Sequence, residues 1–142
     1  MSVLSVVVAI LVAVIMLLVS LFHFYWAFGG EYGLQSSGPV MEEGVEFKPP
    51  AAVIFVVACL LAGLAVLSLQ LVWPWQPIKE YIAYVGYLIS FVFIVRSIGD
   101  FKYVGFFKKV YNSDFANLDT KYFSPLILLL GVCFGVLSVF GV

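Results

Sequence analysis

Residues 3–28 read VLSVVVAILVAVIMLLVSLFHFYWAF, and no Asp, Glu, Lys or Arg interrupts them. A bilayer core of about 30 Å is crossed by roughly 20 apolar residues in a helix. The run lacks the period-2 alternation of a barrel strand, so it reads as a membrane-spanning helix. Working outward, further charge-free stretches lie between Lys48 and Lys79, from Tyr81 to Val95 and from Tyr122 to Val142. Four transmembrane helices are predicted, over about 3–28, 51–73, 79–97 and 125–142. The expected fold is all-α: an integral membrane four-helix bundle, one domain over 1–142, with a long folded loop between helices three and four.

Composition points the same way. Hydrophobic residues make up 64% of the 142 and charged residues 11%, against about 25% charged in ordinary soluble domains. Mean hydropathy is +1.15. These values exclude a soluble globular protein, a disordered tail and a collagen-like chain. The formal net charge of -1 gives no bias toward DNA or RNA, so no nucleic-acid partner is expected. The first span lacks the basic start of a signal peptide, and its apolar run exceeds the ~7–15 residues of such a segment.

The connections are unequal. Loop one (29–50) carries the breakers Gly29-Gly30, Gly38-Pro39 and Pro49-Pro50. Loop two (74–78) is short, so helices two and three are expected as a tight hairpin. Loop three (98–124) is long, and connections of that length tend to be functional or disordered. Its aromatic residues, Phe101 to Phe123, argue against disorder and for short interfacial helices. Ser113 is a candidate cap for one of them, and Ser124-Pro125 has the chemistry of a helix start.

Loops one and three share a face. With their flanks they carry Lys48, Arg96, Lys102, Lys108, Lys109 and Lys121, whereas the opposite face has Lys79 alone. The positive-inside rule then places loops one and three in the cytoplasm and both termini outside. Tyr25 and Trp26 suit one membrane interface, and Trp73 and Trp75 the other.

The polar residues gather toward the mouth formed by loops one and three. The candidates for ligand binding are His23, Trp26, Glu31, Arg96, Asp100, Lys108, Asp119 and Tyr122. His23, the single histidine, shares a stripe with Trp26, Ala27 and Gly30. It reads either as a neutral group bonded to a neighbouring helix or as a proton-handling group. Arg96 and Asp100 stand at i and i+4, on one face if helix three continues; Arg96 either snorkels to headgroups or offers its fork to a phosphate or carboxylate. Lys108-Lys109 reads first as a headgroup-facing pair. Asp119 reads as a turn or cap before helix four, or as a partner of Arg96 or His23 across the mouth.

Cys59 and Cys133 form no CxxC motif and read as small apolar filler. Neither a metal site nor a cofactor is expected: there is one histidine, with no ligand spacing, Walker loop or dinucleotide fingerprint. Gly131/Gly135, and more loosely Ala58/Ala62, mark close helix packing.

The stretch Phe22-His23-Phe24-Tyr25-Trp26-Ala27-Phe28-Gly29-Gly30 resembles the end of helix one in a family of small bacterial four-helix membrane proteins catalogued as a domain of unknown function. Arg96-Ser97-Ile98-Gly99-Asp100-Phe101, Gly105-Phe106-Phe107-Lys108 and Phe115-Ala116-Asn117-Leu118-Asp119-Thr120 through Ser124-Pro125-Leu126 resemble its second signature. Tyr32 departs, standing where tryptophan is expected. The resemblance implies the four-helix architecture and a bacterial inner-membrane location, and brings no activity.

The leading functional expectation is a polar pocket at one membrane face that binds a small amphiphile or lipid headgroup, with membrane lipids as partners. A catalytic version would use His23 as acid/base, oriented by Asp119 or Asp100. The alternatives are a non-catalytic assembly or accessory subunit, including a homo-oligomer, and an oligomeric transporter or channel.

Overall fold

The computed structural model describes residues 2–39 and 48–141. Four long helices form: α1 (Val3–Ala27), α2 (Ala51–Gln70), α3 (Lys79–Ile98) and α5 (Ser124–Phe140). A short α4 (Asp114–Leu118) and a π-turn (Asp119–Phe123) lead directly into α5. Among the described residues, four helical segments are thus long and apolar enough to cross a membrane: Val3–Ala27, Ala51–Gln70, Gln76–Ile98 and Asp114–Phe140. The chain is a multi-pass, all-helical membrane protein. The glutamates Glu42, Glu43 and Glu46 of loop one lie outside the described residues.

Caps explain several boundaries. Ser2 accepts the Ser5 amide at the start of α1 (3.1 Å), and Ser113 accepts the Ala116 amide at the start of α4 (3.0 Å). Helix α2 stops at Gln70, earlier than expected. Its side-chain carbonyl turns back to accept the Trp75 amide (2.8 Å), tying down the Pro74-containing turn. A 3-10 turn, Gln76–Ile78, then starts α3.

Ser124-Pro125 does not begin a separate helix. The backbone is already helical through the π-turn, and the Ser124 amide donates to the Asp119 carbonyl five residues back. A proline inside a helix lacks one donor and crowds the carbonyl four residues earlier. A wider π-turn immediately before Pro125 relieves that crowding.

The helices pair as α1 with α2 and α3 with α5, and the two pairs touch each other over a smaller area. Lipid tails are as apolar as leucine side chains, so small residues and close backbone approach drive this pairing. A side chain grown from Gly131 would meet Phe93 Cβ at 3.1 Å, and one from Gly135 would meet Ser90 Oγ at 2.9 Å. The Gly131/Gly135 face therefore seats α5 against α3. In the other pair, Ser20 Oγ donates across to the Ala58 carbonyl (2.7 Å), whereas the Ser68 hydroxyl donates chiefly to the Ala65 carbonyl of its own helix (2.8 Å) and lies 3.3 Å from the Ala9 carbonyl of α1.

The two pairs share an apolar core that includes Ala9, Val12 and Met16 of α1, Leu71 and Val72 after α2, Ile82 of α3, and Leu130, Phe134 and Leu137 of α5. Phe93 meets Phe134 edge to face, with centroids 5.9 Å apart. Cys59 and Cys133 are free thiols.

Candidate functional site

The polar centre forms where loop three folds back over the ends of α3 and α5. Helix α3 ends because Gly99 takes φ +91°, a left-handed conformation that glycine adopts without penalty. A second left-handed glycine, Gly105 (φ +88°), lies against it. A Cβ on Gly99 would overlap the Val104 carbonyl, and one on Gly105 the Ile98 carbonyl. This close crossing lets the Phe106 amide reach the Ser97 carbonyl (2.9 Å) and the Phe107 amide the Ile98 carbonyl (3.4 Å). The loop thereby satisfies carbonyls that a helix end leaves orphaned.

Asp100 organises the turn between the glycines. Its Oδ1 accepts the amides of Lys102 (2.9 Å), Tyr103 (2.8 Å) and Val104 (3.0 Å). Partial burial raises its pKa, but these backbone donors outweigh that effect and hold it below the ordinary 3.8. Helix α3 does not continue to carry Asp100 beneath Arg96, so the i, i+4 pair does not form. The carboxylate serves the loop backbone instead.

Asp119 is the hub. Its side chain is fully buried. Oδ1 accepts from Arg96 Nη2 (3.2 Å) and Ser124 Oγ (3.0 Å). Oδ2 accepts from the Gly105 amide (2.8 Å) and Lys108 Nζ (3.1 Å). A buried carboxylate is tolerated when it is paired and its lone pairs are filled, and here each oxygen has two donors. Asp119 is therefore no simple turn or cap residue. It joins α3, loop three and α5 at a single carboxylate.

Lys108 corrects a second expectation. It is not a headgroup-facing lysine: its side chain is fully buried. Its ammonium also donates to the Gly105 carbonyl (2.9 Å) and to Thr120 Oγ1, and it lies 5.6 Å from the Tyr111 ring centroid. Lys109 next to it is exposed. Arg96 is intermediate, with about 33% of its side chain exposed. Among the described residues its Nη1, itself buried, has no hydrogen-bond partner.

The other candidates stay apart from this centre. His23 Nδ1 bonds the Val19 carbonyl of its own helix (2.8 Å), and its ring meets Trp26 edge on at 5.0 Å. Among the described residues no hydrogen bond or ion pair joins His23 to Asp119 or Asp100, so the acid/base pairing suggested by sequence is not formed. The neighbouring-helix bond expected for the imidazole is replaced by one to its own helix, because the carbonyl four residues back is within reach. Trp26 Nε1 donates to the Tyr32 carbonyl (2.8 Å) and folds the Gly29–Gly33 turn over the end of α1. Glu31 and Tyr122 are exposed.

Three further contributors stand outside the ligand-binding candidates named from the sequence. Gly105 supplies an amide, Ser124 a hydroxyl and Thr120 an acceptor, and each depends on a three-dimensional approach. Among the described residues no three His, Cys, Asp or Glu side chains gather as metal ligands.

Comparison with curated proteins finds no match, and comparison with solved structures finds none. The family match extends over residues 16–134 and so takes in the histidine-bearing end of α1, the folded loop and the whole charged centre. The chain belongs to the family of proteins of unknown function DUF3995.

Proposed function

We propose that this multi-pass membrane protein binds the polar headgroup of a small amphiphile or lipid at the face where loop three closes over α3 and α5. The observation carrying this reading is the placement of Arg96. Its guanidinium touches a fully buried carboxylate through Nη2, yet a third of the side chain remains exposed at one end of the bundle. Cationic groups at that depth suit headgroups, and the guanidinium fork suits oxyanions in particular. The proposed setting is the bacterial inner membrane, with loops one and three on the cytoplasmic side.

The test compares wild-type protein with Arg96→Ala, Asp100→Ala and Asp119→Ala. Each is purified in mild detergent, and bound lipid is measured by native mass spectrometry beside thermal stability. Headgroup binding predicts lipid adducts on the wild type that fall in Arg96→Ala at temperatures where that variant stays folded. Equal adducts on folded wild type and Arg96→Ala, or none on either, overturn it.

A second reading rests on the saturation of Asp119. Four donors and a fully engaged Lys108 also describe a structural clasp. The protein would then be a non-catalytic assembly subunit, and intact oligomers or partner complexes in the same spectra would favour it.

A further inference from the structure

The charged centre is unbalanced, and its imbalance has a direction. Arg96 and Lys108 both face Asp119, so two cations meet one anion. Lys108 is spent: its ammonium has three oxygen acceptors and an aromatic face. Asp119 is spent too, with two donors on each oxygen. Asp100 is turned into the loop backbone by three amides. What remains is Arg96 Nη1, buried and, among the described residues, without an acceptor. A buried N–H on a charged group left unpaired costs more than a neutral one, so such an atom calls for a partner. That partner must accept hydrogen bonds and is favoured if it carries negative charge. The surrounding segment, residues 96–124, adds to the pull, with five basic residues against three acidic ones.

From this geometry we infer that the Arg96 guanidinium, on a side chain left one-third exposed, is the docking point for a phosphate-type oxyanion held at the membrane face beside the Asp119–Lys108 pair, and that the ligand draws out the buried, unpaired Nη1. The inference rests on the headgroup reading above and names its ligand chemistry. Asp119 acts as a positioning residue: it fixes one side of the guanidinium through Nη2 and leaves Nη1 without an acceptor of its own among the described residues. The oxyanion belongs either to a phospholipid headgroup or to free phosphate.

Arg96 is the single arginine in the chain. Selective 15N-arginine labelling therefore gives a guanidinium spectrum of this one residue, without any mutation. The probes are phosphatidylglycerol, diacylglycerol, which has the same tails and no phosphate, and inorganic phosphate, each added to full-length protein in a phosphate-free sugar detergent. Native mass spectrometry follows binding in parallel. The expected result is a saturable shift of the Arg96 side-chain resonances with phosphatidylglycerol and none with diacylglycerol. A shift with inorganic phosphate as well identifies the anion alone as sufficient, and its absence identifies the lipid as the source.

Arg96→Gln should lose about tenfold or more in phosphatidylglycerol affinity, the range expected for a charge-assisted hydrogen bond. Where that variant fails to fold, the wild-type spectra decide. Adducts of diacylglycerol and phosphatidylglycerol in equal amount, with unmoved Arg96 resonances, overturn the oxyanion while leaving amphiphile binding intact. Unmoved resonances and no adducts overturn both.

Discussion

The α1–α2 pair and the α3–α5 pair both bring apolar helices close together, yet the polar bonds that hold them differ. Between α1 and α2, a hydroxyl reaches a carbonyl across the interface, Ser20 to Ala58. Between α3 and α5, Gly131 and Gly135 permit equally close approach, but the pair is also locked by Arg96, Lys108 and Asp119. The difference teaches where stability is concentrated. A hydroxyl bond between membrane helices is worth on average about 0.6 kcal/mol, because the separated helices find other partners. Removing one member of a buried ion pair costs about 3–5 kcal/mol, because the surviving charges stay buried and unpaired.

The sharpest way to break this contrast is Asp119→Ala. It should lower stability by about 3–5 kcal/mol, read as a large fall in the thermal midpoint of the detergent-solubilised protein. A loss as small as that of a single helix-contact serine would show that the clasp is not where the second pair is held. Next in size is Gly105→Ala. The added Cβ would strike the Ile98 carbonyl at a left-handed backbone position, for about 1–3 kcal/mol. Hydrogen exchange should then rise at the Phe106 and Phe107 amides. Ser20→Ala removes one bond from the first pair and should cost about 0.6 kcal/mol, with no change in exchange across loop three.

The smallest effect expected is acid loosening of the Asp100 turn. Its folded pKa is depressed below 3.8, so its contribution is present above the ordinary carboxylate value. That contribution is lost as pH falls through the lowered folded value. Exchange protection of the Lys102, Tyr103 and Val104 amides should therefore persist at pH 5 and weaken below about pH 4. Protection that stays constant down to pH 2 would remove the carboxylate from its assigned role.

The spans were legible because their cause is local. A charge-free run of sufficient length leaves a helix as the solution in a bilayer, and the end of the second span moved by only a few residues, to Gln70, whereas the fourth helical segment begins well before 125, at Asp114, because α4 and the π-turn run straight into α5. The Ser113 cap was legible for the same reason. The charged centre was legible only as a district. Arg96 and Asp119 lie 23 residues apart, and nothing periodic links them. Lys108 and Lys109 look alike in sequence, yet one is buried and one exposed, because the Gly99–Gly105 crossing turns the chain between them and α3. His23 was the most conspicuous residue and contributes no bond to the centre, since its own helix offered an acceptor first.

The π-turn at Asp119–Phe123 sets the phase between the clasp and the rest of α5. An α-helix rotates about 100° per residue, so the extra residue held in that widened turn decides which way Asp119 points relative to the Gly131/Gly135 face. Deleting one position there would leave both surfaces intact and swing them out of alignment by roughly a quarter turn. The indexing of this short stretch, more than its chemical identity, is what lets one helix serve two neighbours at once.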